Sequence, residues 1–233
     1  MMSIRYATEA VTPSLARINV DAFRGKGMLE NIFPAASVSE QQMLAYKTLR
    51  TARFLADENY HVLSAEDSSS GQIVGYARWL IPSRTYSILA GRSQSEDERD
   101  PRAMPVLSEE VASIKDMAGH APPGMNVEGL NALKAMMEEK KGKVIDVERD
   151  MVLELIGISN QHQRRGLGSQ MLEWGIERAN RAGVRIYLEA TEAGYPLYLR
   201  RGWTVVDELV MDWSPYGGKG VTKLTMMVKE PEE

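Results

Sequence analysis

Apolar and polar positions change spacing several times along this chain, and each change marks an element. Residues 3–7 read as a short strand. Leu15, Ile18 and Ala22 then recur at helical spacing behind Thr12 and Pro13, an N-cap residue and a proline suited to a first helical turn. Residues 38–54, with Met43, Leu44, Lys47, Leu49 and Phe54, predict a further helix. Two strand-like runs at 60–65 and 73–81 follow. The polar stretch Glu66-Asp67-Ser68-Ser69-Ser70-Gly71 between them predicts a hairpin.

The pattern breaks over 82–147. Residues 91–102 are charged and poor in apolar side chains, as a solvated loop would be. Residues 106–117 and 127–141 predict helices separated by the turn signal Pro122-Pro123-Gly124, and this segment is expected to pack on the edge of the domain. Regularity returns in the last third. Residues 151–158 form a nearly continuous apolar run of strand length, the signature of a strand covered on both faces. Residues 166–182 carry a helical stripe through Leu167, Met171 and Trp174, widened by Leu172, Ile176 and Ala179, and Gly183 stands where a left-handed cap ends a helix. Val184, Ile186, Leu188 and Ala190 alternate as a strand, residues 196–201 predict a short helix before Gly202, and strands at 203–211 and 221–228 close the chain.

Composition narrows the class. With 233 residues, 43% of them hydrophobic, the chain can build one substantial core, and no Gly/Ser-rich or Pro-rich linker divides it. The expected organisation is a single domain over 1–233 with a helical insertion at about 83–147. A net charge of -4 argues against a duplex-DNA binder, which needs a basic face. Cysteine is absent, which removes disulfides, a thiolate nucleophile and cysteine-rich zinc sites. His61, His120 and His162 share no ligand spacing, so no metal is expected. No run of about 18 apolar residues suggests a membrane span, and Met1-Met2-Ser3-Ile4-Arg5-Tyr6 lacks the apolar core of a signal peptide. A cytoplasmic protein is expected.

The candidate chemistry lies in Gln163-Arg164-Arg165-Gly166-Leu167-Gly168, between an apolar strand and a helix. Such a turn aims backbone N–H groups and the positive end of the helix dipole at an anion, and glycines let the backbone approach it closely. A Walker loop is absent, and a dinucleotide fingerprint fails because Met171 stands where its third glycine belongs. The pattern Q/R-x-x-G-x-G instead resembles the acyl-CoA pyrophosphate loop of the GNAT acetyltransferase superfamily. Leu155-Ile156-Gly157-Ile158-Ser159-Asn160 before it, Leu188-Glu189-Ala190, and Leu197-Tyr198-Leu199-Arg200-Arg201-Gly202-Trp203 after it are similar to that family's core strands and its following helix. Trp203 replaces the usual Phe. The pair Trp174-Gly175 also occurs in GNAT proteins of filamentous fungi, and the strong part of the resemblance covers residues 151–203.

The resemblance implies an α/β fold: a mixed, mostly antiparallel central sheet with helices on both faces and a splay between its two central strands. It implies an acetyl-CoA-dependent N-acetyltransferase that uses no metal and transfers the acetyl group directly to an amine. Alternatives are a protein or peptide N-acetyltransferase and a non-catalytic acyl-CoA-binding module. Ile156 and Ile158 would pair with pantetheine, and Gln163, Arg164, Arg165, Gly166, Leu167, Gly168 and Ser169 would hold the pyrophosphate. Tyr198 matches the general acid that protonates the leaving thiolate. Tyr195 is the reserve candidate. Glu154, the charged residue of its strand, is placed with Val152, Ile156 and Ile158 on one face as a candidate general base. Glu189 reads as part of a polar face with Arg185 and Tyr187. Trp79 and Tyr86, with Phe33 and residues from the 106–141 helices, are expected to close a compact, largely apolar pocket for a small-molecule amine acceptor.

Overall fold

The computed structural model describes residues 2–92 and 106–232. Seven strands, β1 (Met2–Tyr6), β2 (Tyr60–Asp67), β3 (Gln72–Leu80), β4 (Met151–Ile158), β5 (Ile186–Ala190), β6 (Thr204–Asp212) and β7 (Val221–Lys229), form one sheet in the order β1-β2-β3-β4-β5-β7-β6. Pairing is antiparallel except between β4 and β5. The expected mixed, mostly antiparallel sheet is therefore present, and the predicted hairpin is β2–β3.

The helices are α1 (Thr12–Phe23), α2 (Met28–Ile32), α3 (Glu40–Leu55), α4 (Ser83–Arg92), α5 (Glu109–Ser113), α6 (Val127–Val144), α7 (Leu167–Ala182) and α8 (Tyr195–Leu199). Local chemistry sets their ends. Ser39 and Gln42 form a capping box for α3, Asn126 accepts from the Gly129 N–H to start α6, and Gly183 ends α7 in the left-handed conformation. The helix predicted over 106–117 is only the five residues of α5, and α2 and α4 were not foreseen. The loop predicted at 91–102 falls outside the described residues from 93 onward.

Alternating strand residues divide the core. On one side, Trp79, Leu153, Ile186 and Leu188 meet Met171, Leu172 and Ile176 of α7. On the other, Val152, Tyr187, Leu224 and Met226 meet Leu130 and Leu133 of α6, while Leu15, Ile18 and Leu55 of α1 and α3 cover Val62 and Tyr76. The segment expected at the edge does pack there: α6 lies against the edge strand β6, and its Leu130 and Leu133 are buried in one cluster with Leu209, Met211, Val152 and Tyr187. No helix among the described residues is long and apolar enough to cross a membrane.

Candidate active site

β4 and β5 pair over three positions, Met151↔Ile186, Val152↔Tyr187 and Leu153↔Leu188, and then separate. The next residue on each strand is a glutamate, Glu154 and Glu189. Two carboxylates therefore mark the base of a fork. A bulge lies there too. Trp79 of β3 pairs with Leu153 and Arg78 with Leu155, which leaves Glu154 as an extra residue. Such an insertion bends a strand and reverses the side-chain alternation beyond it. Ile156 and Ile158 consequently pack towards the α7 side, whereas Glu154 stays with Val152. The expectation that these four share one face is corrected by this bulge.

The fork opens into a cavity of about 580 Å³ whose lining comes from both sides of the sheet. At one end are Ile156, Ile158, Gln163, Arg164, Gly166, Leu167, Gly168 and Ser169. Of the loop residues singled out in the sequence, Arg165 alone is not on the lining. The loop's shape depends on two positive φ angles, +60° at Arg164 and +82° at Gly166, the latter serving as N-cap of α7. Gln163 braces it from below, donating through Nε2 to the Ile158 carbonyl at 3.1 Å and to Asn160 at 3.0 Å. A Cβ built on Gly168 would meet only Leu197 at 3.5 Å and Ile156 at 3.9 Å, so the glycine leaves the cavity wall low without being sterically required by the fold.

Tyr198 of α8 lines the same cavity and is 7% exposed, and its hydroxyl makes no hydrogen bond with the described residues. Burial raises its phenol above the ordinary range and keeps it protonated. Tyr195 is not on the lining. The two glutamates differ sharply. Glu154 accepts from Arg78 Nε at 2.8 Å and from the Tyr60 hydroxyl at 3.2 Å. Glu189 also lines the cavity, and burial lifts its carboxyl to about 7, with Lys141 opposing the shift and the Glu154 charge adding to it. Alternation had placed Glu189 on a polar face. It does share the Tyr187 side, but that side is the interior of the fork, a fact invisible until β4 and β5 are known to diverge.

Beyond the glutamates the cavity ends in a charged chamber. Lys47, Arg50, Arg78 and Lys134 line it. Phe33 and residues of α6 form part of the wall as anticipated, but Trp79 and Tyr86 do not. Both belong to the α7 side of the sheet, where Trp79 is wholly buried against Gly175. The chamber is thus not the largely apolar pocket that the aromatics suggested.

Known proteins match this arrangement. A family profile described as Acetyltransferase (GNAT) domain matches residues 112–216, a span that holds α6, the fork, the loop and α8. Over that span, a little under half of its length, the chain is similar to GNAT acetyltransferases. An acetyltransferase of the filamentous fungus Stachybotrys chartarum is 23% identical over 212 residues, covering 89% of this chain and 82% of that protein. Among solved structures, one described as histone acetyltransferase HPA2 and related acetyltransferase, from Corynebacterium glutamicum, superposes with a TM-score of 0.58 at 22% identity, over 100% of this chain and 97% of that one. A mosquito arylalkylamine N-acetyltransferase superposes at 0.50 with 12% identity, over 99% and 100%. At these identities the structural matches establish the fold. The GNAT profile begins at residue 112 and so includes α6, which the motif resemblance over 151–203 had left out.

Proposed function

We propose that this protein transfers the acetyl group of acetyl-CoA directly to a primary amine of a small molecule. The observation that carries the reading is the continuity of one cavity from the loop at 163–169, through the fork, to the charged chamber. An acyl-CoA fits the first part. Backbone N–H groups at the start of α7 suit a pyrophosphate, and the β4 edge that has left β5 offers unpaired peptide groups to a pantetheine amide.

The side chains at the fork supply the proton transfers. As the amine nitrogen attacks the thioester carbonyl carbon, the C–N bond forms, the C–S bond breaks, and the leaving sulfur takes the Tyr198 proton. Glu189 accepts the proton lost by the amine. A carboxyl near 7 accepts a proton far better at neutral pH than an ordinary one, which favours Glu189 as base over Glu154, whose oxygens already receive Arg78 and Tyr60. The chamber's cations assist, since nearby positive charge disfavours the ammonium form of a bound amine. Closure of the chamber by α3 and α6 supports a small acceptor. The test is thiol release from acetyl-CoA with a panel of amines and peptides. Binding of CoA without thiol release from any of them would refute catalysis, and a peptide exceeding every small amine by a large factor would refute the acceptor class.

A further inference from the structure

The charged chamber holds more positive charge than its carboxylates can balance. Lys47 and Arg50 project from α3, Arg78 from β3 and Lys134 from α6, against Glu154 and Glu189. Glu154 is committed to Arg78. The Arg50 guanidinium has no ion-pair partner among the described residues and sits near the Phe54 ring, 5.4 Å from its centroid, with Arg78 only 3.8 Å from the same centroid. Lys47 donates to Asn19 Oδ1 at 2.6 Å and lies 5.2 Å from the Phe33 ring centroid. Lys134 stands at the exposed rim of α6 without an ion pair among the described residues.

Crowding of like charges in a partly buried chamber disfavours their charged forms. Burial first, then Arg50 and Arg78, bring Lys47 down to about 7, and burial also lowers Arg50 and Lys134. A fold tolerates such a group when a bound anion relieves it. The remaining chamber wall is apolar, formed by Leu29, Ile32, Phe33, Leu130, Leu133 and Met137.

We propose that the acceptor is amino-acid-like: a primary amine that bears a carboxylate, received by Arg50 with Lys47 and Lys134 around it, and an apolar side chain set against the wall of α2 and α6. The proposal rests on the acetyl-transfer reading above and names its substrate class. A guanidinium fork suits a planar carboxylate, which it can bind through two parallel hydrogen bonds. The same surplus of positive charge repels an amine whose only charge is its ammonium group, so arylalkylamines and lysine-rich tails are disfavoured.

The experiment compares matched pairs that differ by the carboxylate: L-leucine with isoamylamine, L-phenylalanine with phenethylamine, and β-alanine with ethylamine. Thiol release gives kcat/KM for each, and calorimetry on the CoA-loaded protein measures binding of N-acetyl-leucine and N-acetylisoamylamine. The carboxylate member is expected to be favoured by about 10- to 100-fold, the worth of a hydrogen bond to a charged group. Arg50→Gln should remove most of that preference while CoA affinity stays unchanged, and Arg50→Lys should recover part of it. Equal or better performance by the amines lacking a carboxylate would overturn the proposal while leaving acetyl transfer in place. Greater turnover of phosphoethanolamine than of β-alanine would overturn the choice of carboxylate. Loss of CoA binding by the parent protein would instead refute acetyl transfer itself. If no amine turns over, the calorimetric pair decides, and if Arg50→Gln fails to fold, the matched pairs on the parent protein decide.

Discussion

Replacing Glu189 by Gln separates a carboxyl poised for proton transfer from one that merely fills the fork. Burial raises the folded-state value from 4.5 to about 7. Between those values the folded protein binds the proton more tightly than the unfolded chain, so stability falls as pH rises through the window. The full penalty is roughly 3 kcal/mol above pH 7, and less than about 1 kcal/mol of it is present at about pH 5. Gln carries no charge to bury. The variant should therefore gain about 2 kcal/mol more at about pH 8.5 than at about pH 5, with some allowance for water in the cavity. For a chain of this length that corresponds to a Tm gain larger by roughly 4–8 °C at the higher pH. Thermal unfolding at the two pH values reads this directly. The same variant should lose about 10²- to 10⁴-fold in kcat, together with the limb of the rate profile that rises through pH 7 in the parent. An equal Tm change at both pH values would refute the raised carboxyl, and an unaltered pH–rate profile would remove Glu189 from the proton path.

Tyr198→Phe should lower kcat by roughly 10²-fold with little effect on CoA affinity measured by calorimetry, and near-parental turnover would make the phenol structural. Gly168→Glu should leave the far-UV spectrum folded, because its Cβ meets only ordinary contacts, yet weaken CoA binding at least about tenfold by placing a carboxylate beside the pyrophosphate. Gly175→Ala tests packing away from the cavity. Its Cβ would fall 2.3 Å from the buried Trp79 ring, so denaturant unfolding should show a loss of about 1–3 kcal/mol, and a stable variant would mean that the α7–β3 contact is looser than described.

The sequence by itself determined the elements whose signals are local. Continuous apolar spacing located β4, an uninterrupted stripe ended by Gly183 located α7, and the glycines of Gln163-Arg164-Arg165-Gly166-Leu167-Gly168 located the turn between them. These depend on residues a few positions apart, so a linear reading captures them. Whatever depends on two distant segments meeting was decided only by the tertiary structure. Glu189 looked solvated because alternation reports which side of a strand a residue occupies, not what lies beyond that side. The bulge at Glu154 is set by pairing with β3, some 75 residues earlier in sequence, and turned Ile156 and Ile158 to the opposite face. Lys47 and Arg50 fall in the helix predicted over 38–54, where the linear pattern assigns them no role. They become a charged chamber only because β4 parts from β5 and α6 folds over the opening, which withdraws from water cations whose burial no local pattern encodes.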